Sequence, residues 1–197
     1  MPDDALVTHF PDATTEPEWQ EAADLGQEAA RDAWAEAARE VLRETAHGYQ
    51  SVLTHKELAA TVQERSLVRT RQQPHYWIED VLSRVTAECL RRDEPLVSAL
   101  AVNAEGSVGE KYGLVVAEAA GEAVADPDEH AARQRLACYR AFDAVGLPAD
   151  GGFAELTPRQ AGIRDRARKQ RIAERVAPQC PKCHMQLPAT LECNYCE

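Results

Sequence analysis

The sequence lacks long apolar runs, and none approaches the roughly 18 residues that a membrane-spanning helix needs. Its acidic opening, Met1-Pro2-Asp3-Asp4, also lacks the basic stretch with which a secretory signal peptide begins. We therefore expect a soluble, cytoplasmic protein that has no membrane partner. Lysine is scarce as well, because 18 of the 22 basic residues are arginine. Together with abundant alanine, this bias indicates a GC-rich genome, bacterial or phage.

Motifs typical of catalysis are also missing. The six histidines are scattered, and the sequence contains no His-Glu-x-x-His pattern of the kind that zinc proteases use. The glycines of the run Gly106-Ser-Val-Gly109 are not followed by the Lys-Ser or Lys-Thr pair of a phosphate-binding loop. We therefore expect a protein that is not an enzyme.

Four cysteines near the C-terminus form the most specific pattern in the chain. They occur as two Cys-x2-Cys pairs separated by nine residues: Cys180, Cys183, Cys193 and Cys196. Each pair can turn both thiolates towards one ion, and two pairs complete a closed tetrahedral zinc site. A saturated site of this kind cannot activate water, so its role would be structural. Disulfide bonds and an iron–sulfur centre are the alternatives, and a cytoplasmic location disfavours disulfides.

This spacing resembles that of short zinc ribbons, whose paired Cys-Pro-x-Cys-type knuckles frame a short segment. All four ligands match the family pattern, whereas His184 and Glu197 stand where these knuckles usually carry glycine. The resemblance implies one structural Zn²⁺ in a small domain of residues 177–197. So few residues cannot build a hydrophobic core, and the metal would therefore supply the folding free energy.

Charge is unevenly distributed in a chain whose net charge is −11. Residues 1–48 hold 12 acidic and 3 basic residues, whereas residues 157–197 hold 4 acidic and 8 basic residues. A helix is predicted over residues 157–176, and arginines spaced i, i+4, i+7 and i+11 lie along one side of it: Arg164, Arg168, Arg171 and Arg175. Such a stripe can contact phosphates, and an ordinary solvated connector helix is the alternative.

The middle of the chain predicts the order strand, helix, turn, helix and β-hairpin. Thr54 and Glu57 form a capping box that starts a helix of about 10 residues, and Pro74 opens a longer one that ends near Arg92. The apolar run at 96–102 and the turn-forming residues 103–106 then predict a hairpin whose return strand covers 107–112. Residues 113–121 suit either a strand or a short helix, and we favour the helix.

This element order resembles that of winged helix-turn-helix domains. The resemblance implies a mainly α (α+β) fold for residues 15–146, with flanking helices. Residues 1–14 are predicted to be disordered, and residues 147–156, which contain glycine and proline, are predicted to form a linker. Cys89 and Cys138 are predicted to be small core residues.

Two flanking helices complete the predicted domain. The first runs from residue 15 to about 47 with a possible interruption at Gly26, and the second starts at Asp126 with an N-cap. The inner face predicted for the first helix consists of Trp19, Ala23, Ala30, Trp34, Ala37 and Val41. Its acidic outer face is either simply solvated or a surface that binds a protein partner or the chain itself.

The leading functional prediction is a DNA-binding protein, either a transcriptional regulator or an accessory protein of a phage or mobile element. The helix 74–92 would face the major groove, and further basic residues would contact the backbone. The predicted nucleic-acid contacts are Arg65, Arg69, Arg71, Ser83, Arg84, Arg91 and Lys111, together with the arginine stripe on 157–176. Glu79 and Asp80 oppose this prediction, because they lie near the end of the helix where base contacts concentrate. The alternative is a non-catalytic protein–protein interaction module of a larger complex.

Overall fold

Helices make up most of the chain in a computed structural model that describes residues 18–121, 123–174, 179–187, 191–194 and 196. Residues 1–14, which were predicted to be disordered, lie outside these ranges. The described helices are α1 (Ala22–Leu25), α2 (Gln27–Ala46), α3 (His55–Ser66), α4 (Ile78–Arg91), α5 (Glu110–Ala120), α6 (Pro127–Ala141) and α7 (Pro158–Ala173). The strands are β1 (Gln20–Glu21), β2 (Leu53–Thr54), β3 (Val68–Arg69) and β4 (Ala101–Val102). The predicted mainly α class is confirmed.

The core is built around α2, which packs against α3, α4 and a 3-10 turn at Val97–Leu100. Trp34 is its largest buried residue, and the Trp34 ring lies 4.3 Å from the ring of Trp77, centroid to centroid. The indole N–H of Trp34 donates a hydrogen bond of 2.8 Å to the carbonyl of Val68. A large aromatic group is thereby buried with its one polar atom satisfied, which is the condition for burying tryptophan without loss of stability.

The predicted N-terminal helix differs from the observed one at its beginning. Gly26 interrupts the helix with a φ of +93°, as predicted, because glycine adopts this conformation without steric cost. Before it, Gln20–Glu21 pairs in parallel with Val68–Arg69, so a continuous helix from residue 15 is wrong. Trp19 and Ala23 are consequently exposed, whereas the other predicted members of the inner face are buried or half-buried.

The two central helices, α3 and α4, occur in the predicted order, but α4 begins later in the chain than predicted. Thr54 and Glu57 form the predicted capping box of α3, with the Thr54 hydroxyl 3.2 Å from the Glu57 amide. Leu67 ends α3 in a left-handed conformation. Pro74 opens a 3-10 turn rather than the helix itself, and α4 begins at Ile78.

The predicted β-hairpin is wrong. Within the apolar run 96–102, Val97–Leu100 forms a 3-10 turn, and only Ala101–Val102 is a strand, which pairs in parallel with Leu53–Thr54. All seven residues of the run are buried, so the run carries no one-sided periodicity from which a strand could be distinguished from a turn. Residues 107–109 form a loop and α5 follows at Glu110, which confirms the helix favoured for 113–121. The part of the chain that the structure describes therefore contains no hairpin wing.

The C-terminal helices begin where the sequence predicted, and each has an N-cap. The Asp126 carboxylate accepts hydrogen bonds from the amides of Asp128 and Glu129 at the start of α6, and the Thr157 hydroxyl accepts one from Gln160 at the start of α7. Between these helices, residues 142–157 contain neither helix nor strand. Cys89 and Cys138 are fully buried, as predicted. Among the described residues, no helix combines the length and apolar character that crossing a bilayer requires.

Candidate metal centre and nucleic-acid interface

The four C-terminal cysteines converge on one point. Their sulfur atoms all lie within 4.8 Å of one another. The Cys180 and Cys196 sulfurs are 3.9 Å apart, and those of Cys183 and Cys193 are 3.5 Å apart. A tetrahedral ion with metal–sulfur distances of about 2.3 Å would place its ligands about 3.8 Å from each other. The cluster therefore has the size of a four-thiolate metal site.

A tight turn positions the first pair of cysteines. The Cys180 amide donates to the Met185 carbonyl, the His184 amide donates to the Cys180 carbonyl, and Gln179 bridges to Gln186 in antiparallel fashion. His184 has a φ of +57°, the left-handed conformation that glycine adopts most easily. The position at which the zinc-ribbon pattern usually carries glycine thus needs a glycine-like backbone, and histidine adopts it here.

Local hydrogen bonds also shift the pKa values of the cysteine thiols. Hydrogen bonds from the amides of Cys183 and Lys182 to the Cys180 sulfur lower the pKa of Cys180 to about 6. Hydrogen bonds with Cys183 and burial raise the pKa of Cys196 to about 12. One thiol of the cluster therefore ionises readily, whereas four thiolates at this distance need a cation to hold them.

Helix α7 precedes the cysteine cluster in the chain and is exposed over its second half. None of its residues is buried, and residues 165–174 are exposed on every side of the helix. We call residues 165–196 the C-terminal unit. Arg168 and Arg171 of the predicted stripe are exposed here and form no salt bridge with any described residue. Arg175 lies outside the described residues.

Arg164, the first residue of the predicted stripe, has a different role. Its guanidinium lies 2.6 Å from one Asp126 carboxylate oxygen and 2.8 Å from the other, and 3.3 Å from Asp128. This pairing holds the pKa of Asp126 at about 2. Arg164 therefore links the first half of α7 to the start of α6, and only the later residues of the predicted arginine stripe are exposed.

The helix predicted to face the major groove is packed into the body. The buried side of α4 contacts α2 and α5, and Arg84 reaches back to α2, where it lies 2.6 Å from Asp32 and also pairs with Glu28. Arg91 pairs with Glu88 on the same helix, 2.6 Å away, and the Ser83 hydroxyl donates to the Glu79 carbonyl. The exposed face of α4 therefore carries an acidic residue and no unpaired base in the described structure.

The other predicted contacts in the body are mostly paired with acids too. Arg65 lies 2.7 Å from Glu44, and Arg69 lies 2.6 Å from Glu21. Lys111 pairs with Asp80. Arg71 is exposed, and it forms no salt bridge within the described ranges.

The acidic outer face of α2 is therefore not simply solvated. Glu28, Asp32 and Glu44 neutralise arginines of α3 and α4, while Glu36 and Glu40 are exposed without a salt bridge among the described residues. Sequence reasoning missed these pairings because the partners lie 21 to 56 residues apart along the chain. It also missed Arg135, a buried arginine of α6 that no charge pattern distinguishes from its solvated neighbours.

The structure thus brings the four predicted cysteines together. It does not bring the predicted DNA contacts together, because most of those in the body are paired with acids, whereas Arg168 and Arg171 of α7 are exposed. The chain matches no family model, no curated protein and no solved structure.

Proposed function

We propose that this protein is a non-catalytic, zinc-dependent nucleic-acid-binding protein that contacts phosphates through one face of α7, the face that carries Arg168 and Arg171. The observation that carries the proposal is the exposed second half of α7, where Arg168 and Arg171 form no salt bridge with any described residue. Phosphate contacts by arginine supply most of the affinity of sequence-independent binding, and they require accessible, uncompensated charge. Among the basic residues of the body that were predicted to contact nucleic acid, only Arg71 is exposed without a salt bridge to another described residue.

The proposed metal is Zn²⁺. Four thiolates at tetrahedral spacing form a saturated coordination sphere, which suits a structural zinc and leaves no position for a reacting water. The side chains around the cysteines bury little surface, so the bound ion would stabilise the fold of residues 179–196 and thereby the end of α7. Iron is the other metal that such a donor set can hold, and elemental analysis separates the two.

The test compares two faces of the same helix. Arg159 and Arg166 lie on the side of α7 opposite to Arg168 and Arg171, given 100° per residue. A variant with Arg168→Gln and Arg171→Gln should bind a random DNA duplex more weakly, and the slope of log affinity against log salt should become shallower by about 1.8. The matched control, with Arg159→Gln and Arg166→Gln, removes the same charge and should retain most of the slope.

Glutamine and arginine have similar helix propensities, so neither variant should alter α7. Equal effects of the two variants would point to non-specific attraction by total charge. Absence of duplex binding by the parent protein at low salt would refute the proposal.

A second candidate function is a protein-docking unit of a larger complex. The observation that favours it is a set of exposed apolar side chains in the same C-terminal unit: Ile172 at 58%, Met185 at 49% and Leu191 at 63% exposure. Exposed apolar side chains are a feature of protein interaction sites. A partner that is retained on the immobilised protein after nuclease treatment, and lost when Ile172 is replaced by serine, would favour this candidate over nucleic acid.

A further inference from the structure

A cavity of about 320 Å³ lies between α6, the first turn of α7 and residues 49–52, outside the proposed nucleic-acid interface. Its size is at the lower end of the range of about 300–1,000 Å³ that is typical of small-molecule sites. Aromatic rings form much of its wall: Tyr49, Tyr139 and Phe153. The Phe153 ring is 65% exposed at the mouth, so the cavity communicates with solvent.

The loop that closes the cavity passes unusually near one of these rings. A side chain at Gly152 would place its Cβ atom 2.7 Å from the Tyr49 hydroxyl, and Gly152 has a φ of +63°. Arg140 holds the loop in place by donating to the carbonyls of Gly151 and Gly152 at 2.8 and 2.9 Å. Tyr139 is fixed by a 2.8 Å hydrogen bond to the Ser51 carbonyl and by edge contact with the Tyr49 ring. The walls are therefore positioned without a ligand.

Arg135 is a buried basic residue in the wall of the cavity. This residue lines the cavity, is only 4% exposed, and donates to the carbonyls of Ala99 and Glu155 at 3.1 Å each. It forms no salt bridge with any carboxylate of the described residues. The nearby Asp128 carboxylate instead accepts from the Val108 amide, the Gln160 amide group and Arg164. Burial lowers the pKa of Arg135, as expected for a cation that is removed from water.

The mouth of the cavity limits which anion can enter. Glu155 is exposed there, and its carboxylate accepts a 2.8 Å hydrogen bond from Gln50. A carboxylate at the mouth repels a second negative charge near it, which disfavours a phosphate dianion relative to a monoanion. Apolar walls with one buried cation are complementary to a ligand that has an apolar body and a single negative charge.

We propose that this cavity binds a small monocarboxylate with an aromatic or aliphatic body, whose carboxylate pairs with Arg135. Arginine binds carboxylates in a bidentate manner, and the pair would replace the missing ionic partner of this residue. The aromatic residues would contact the apolar body. The site is separate from the cysteine cluster and from the exposed arginines of α7. A negative result for nucleic-acid binding would therefore leave this proposal unaffected.

The experiment titrates the full-length metal-loaded protein with phenylacetate, phenylacetamide and phenyl phosphate by calorimetry. Phenylacetate should bind saturably, and its neutral amide should bind at least about tenfold more weakly, because only the anion can pair with Arg135. Phenyl phosphate should also bind more weakly than phenylacetate. Glu155→Gln should strengthen phenylacetate binding.

Two variants localise the binding. Ala161→Trp would fill the mouth of the cavity from α7 and should abolish binding without removing any buried group. Ala167→Trp, at an exposed position on the same helix that does not line the cavity, should bind like the parent protein. Arg135→Met should also abolish binding, and Ala161→Trp keeps the test valid if the methionine variant does not fold. Absent phenylacetate binding, equal binding of the amide, or unchanged binding by Ala161→Trp would overturn the proposal.

Discussion

The helical body, residues 18–164, and the C-terminal unit differ in whether their arginines form salt bridges with other elements of the fold. In the body, arginines such as Arg65, Arg84 and Arg164 lie within 3 Å of carboxylates from other elements. In the second half of α7, Arg168 and Arg171 are exposed without such partners among the described residues. The two regions also differ in what stabilises them, because the body buries a continuous apolar core, whereas α7 buries none of its residues.

The number of basic residues in a segment therefore does not predict whether that segment forms a nucleic-acid-binding surface. Residues 49–113 hold nearly equal numbers of acids and bases, and the fold pairs three of these bases, Arg65, Arg69 and Arg84, with acids from residues 21–44. A salt bridge between exposed groups contributes little to stability, but it removes charge that a phosphate would otherwise attract. The four predictions below, in order of decreasing expected effect, test how independent the two regions are.

Removal of the metal should have the largest effect and should be confined to the C-terminal unit. Chelation should unfold residues 179–196, since the proposed zinc would provide their folding free energy. The body should retain its thermal transition in tryptophan fluorescence, because Trp19, Trp34 and Trp77 all lie in it. Amide resonances of the cysteine segment should collapse while those of α2 and α4 persist. A shift of the body transition upon chelation would show that the two regions fold as one unit.

Replacement of Trp34 by alanine should destabilise the body by about 3–5 kcal/mol, because it leaves a cavity against Trp77 and the Val68 carbonyl without its donor. Urea denaturation provides the measurement. Trp19→Ala serves as the control, since Trp19 is 37% exposed and its loss should change stability far less. The metal content should stay the same in both variants, and loss of metal from the Trp34 variant would contradict independence.

Replacement of Thr157 by valine should weaken the junction between body and α7. Thr157 is only 7% exposed. Its hydroxyl caps α7 and donates a 2.7 Å hydrogen bond to the Gly106 carbonyl. Its removal should cost about 1–2 kcal/mol in the unfolding free energy measured with urea. Thr157→Ser keeps both hydrogen bonds and should stay close to the parent protein. If the valine variant is as stable as the parent protein, the hydrogen bonds of Thr157 do not contribute to the free energy of unfolding.

The smallest effect concerns the pH dependence of the Asp126–Arg164 pair. The folded-state pKa of Asp126 is about 2, below its ordinary value of 3.8, so the pair stabilises the folded state above about pH 4. This contribution should be lost as the pH falls from about 4 to about 2. Asp126→Asn keeps an N-cap but cannot ionise, so the stability difference between the parent and this variant should shrink over that range.

Acid unfolding followed by tryptophan fluorescence measures this difference. Glu88 also has a folded-state pKa of about 2, but it titrates in both proteins and therefore cancels in the comparison. A stability difference that stays constant down to pH 2 would contradict the assigned role of Arg164.

Local sequence patterns determined the starts of α3, α6 and α7 and the convergence of the four cysteines. The caps at Thr54, Asp126 and Thr157 act within three residues of themselves, so their effect is independent of the rest of the fold. The Cys-x2-Cys pairs likewise bring two sulfurs together within one turn. These interactions are encoded by short spacings, which explains why they could be read from the sequence alone.

Only the tertiary structure decided the course of residues 96–102 and the partners of the basic side chains. A fully buried apolar run has no polar face, so its pattern is equally compatible with a strand and with the 3-10 turn that the packing of α2 and α6 selects. Arg84 is paired with residues of α2 more than 50 positions away, and the burial of Arg135 depends on the packing of α6 against the turn at Val97–Leu100. Such contacts depend on how distant elements meet, and no local pattern in this sequence specifies that.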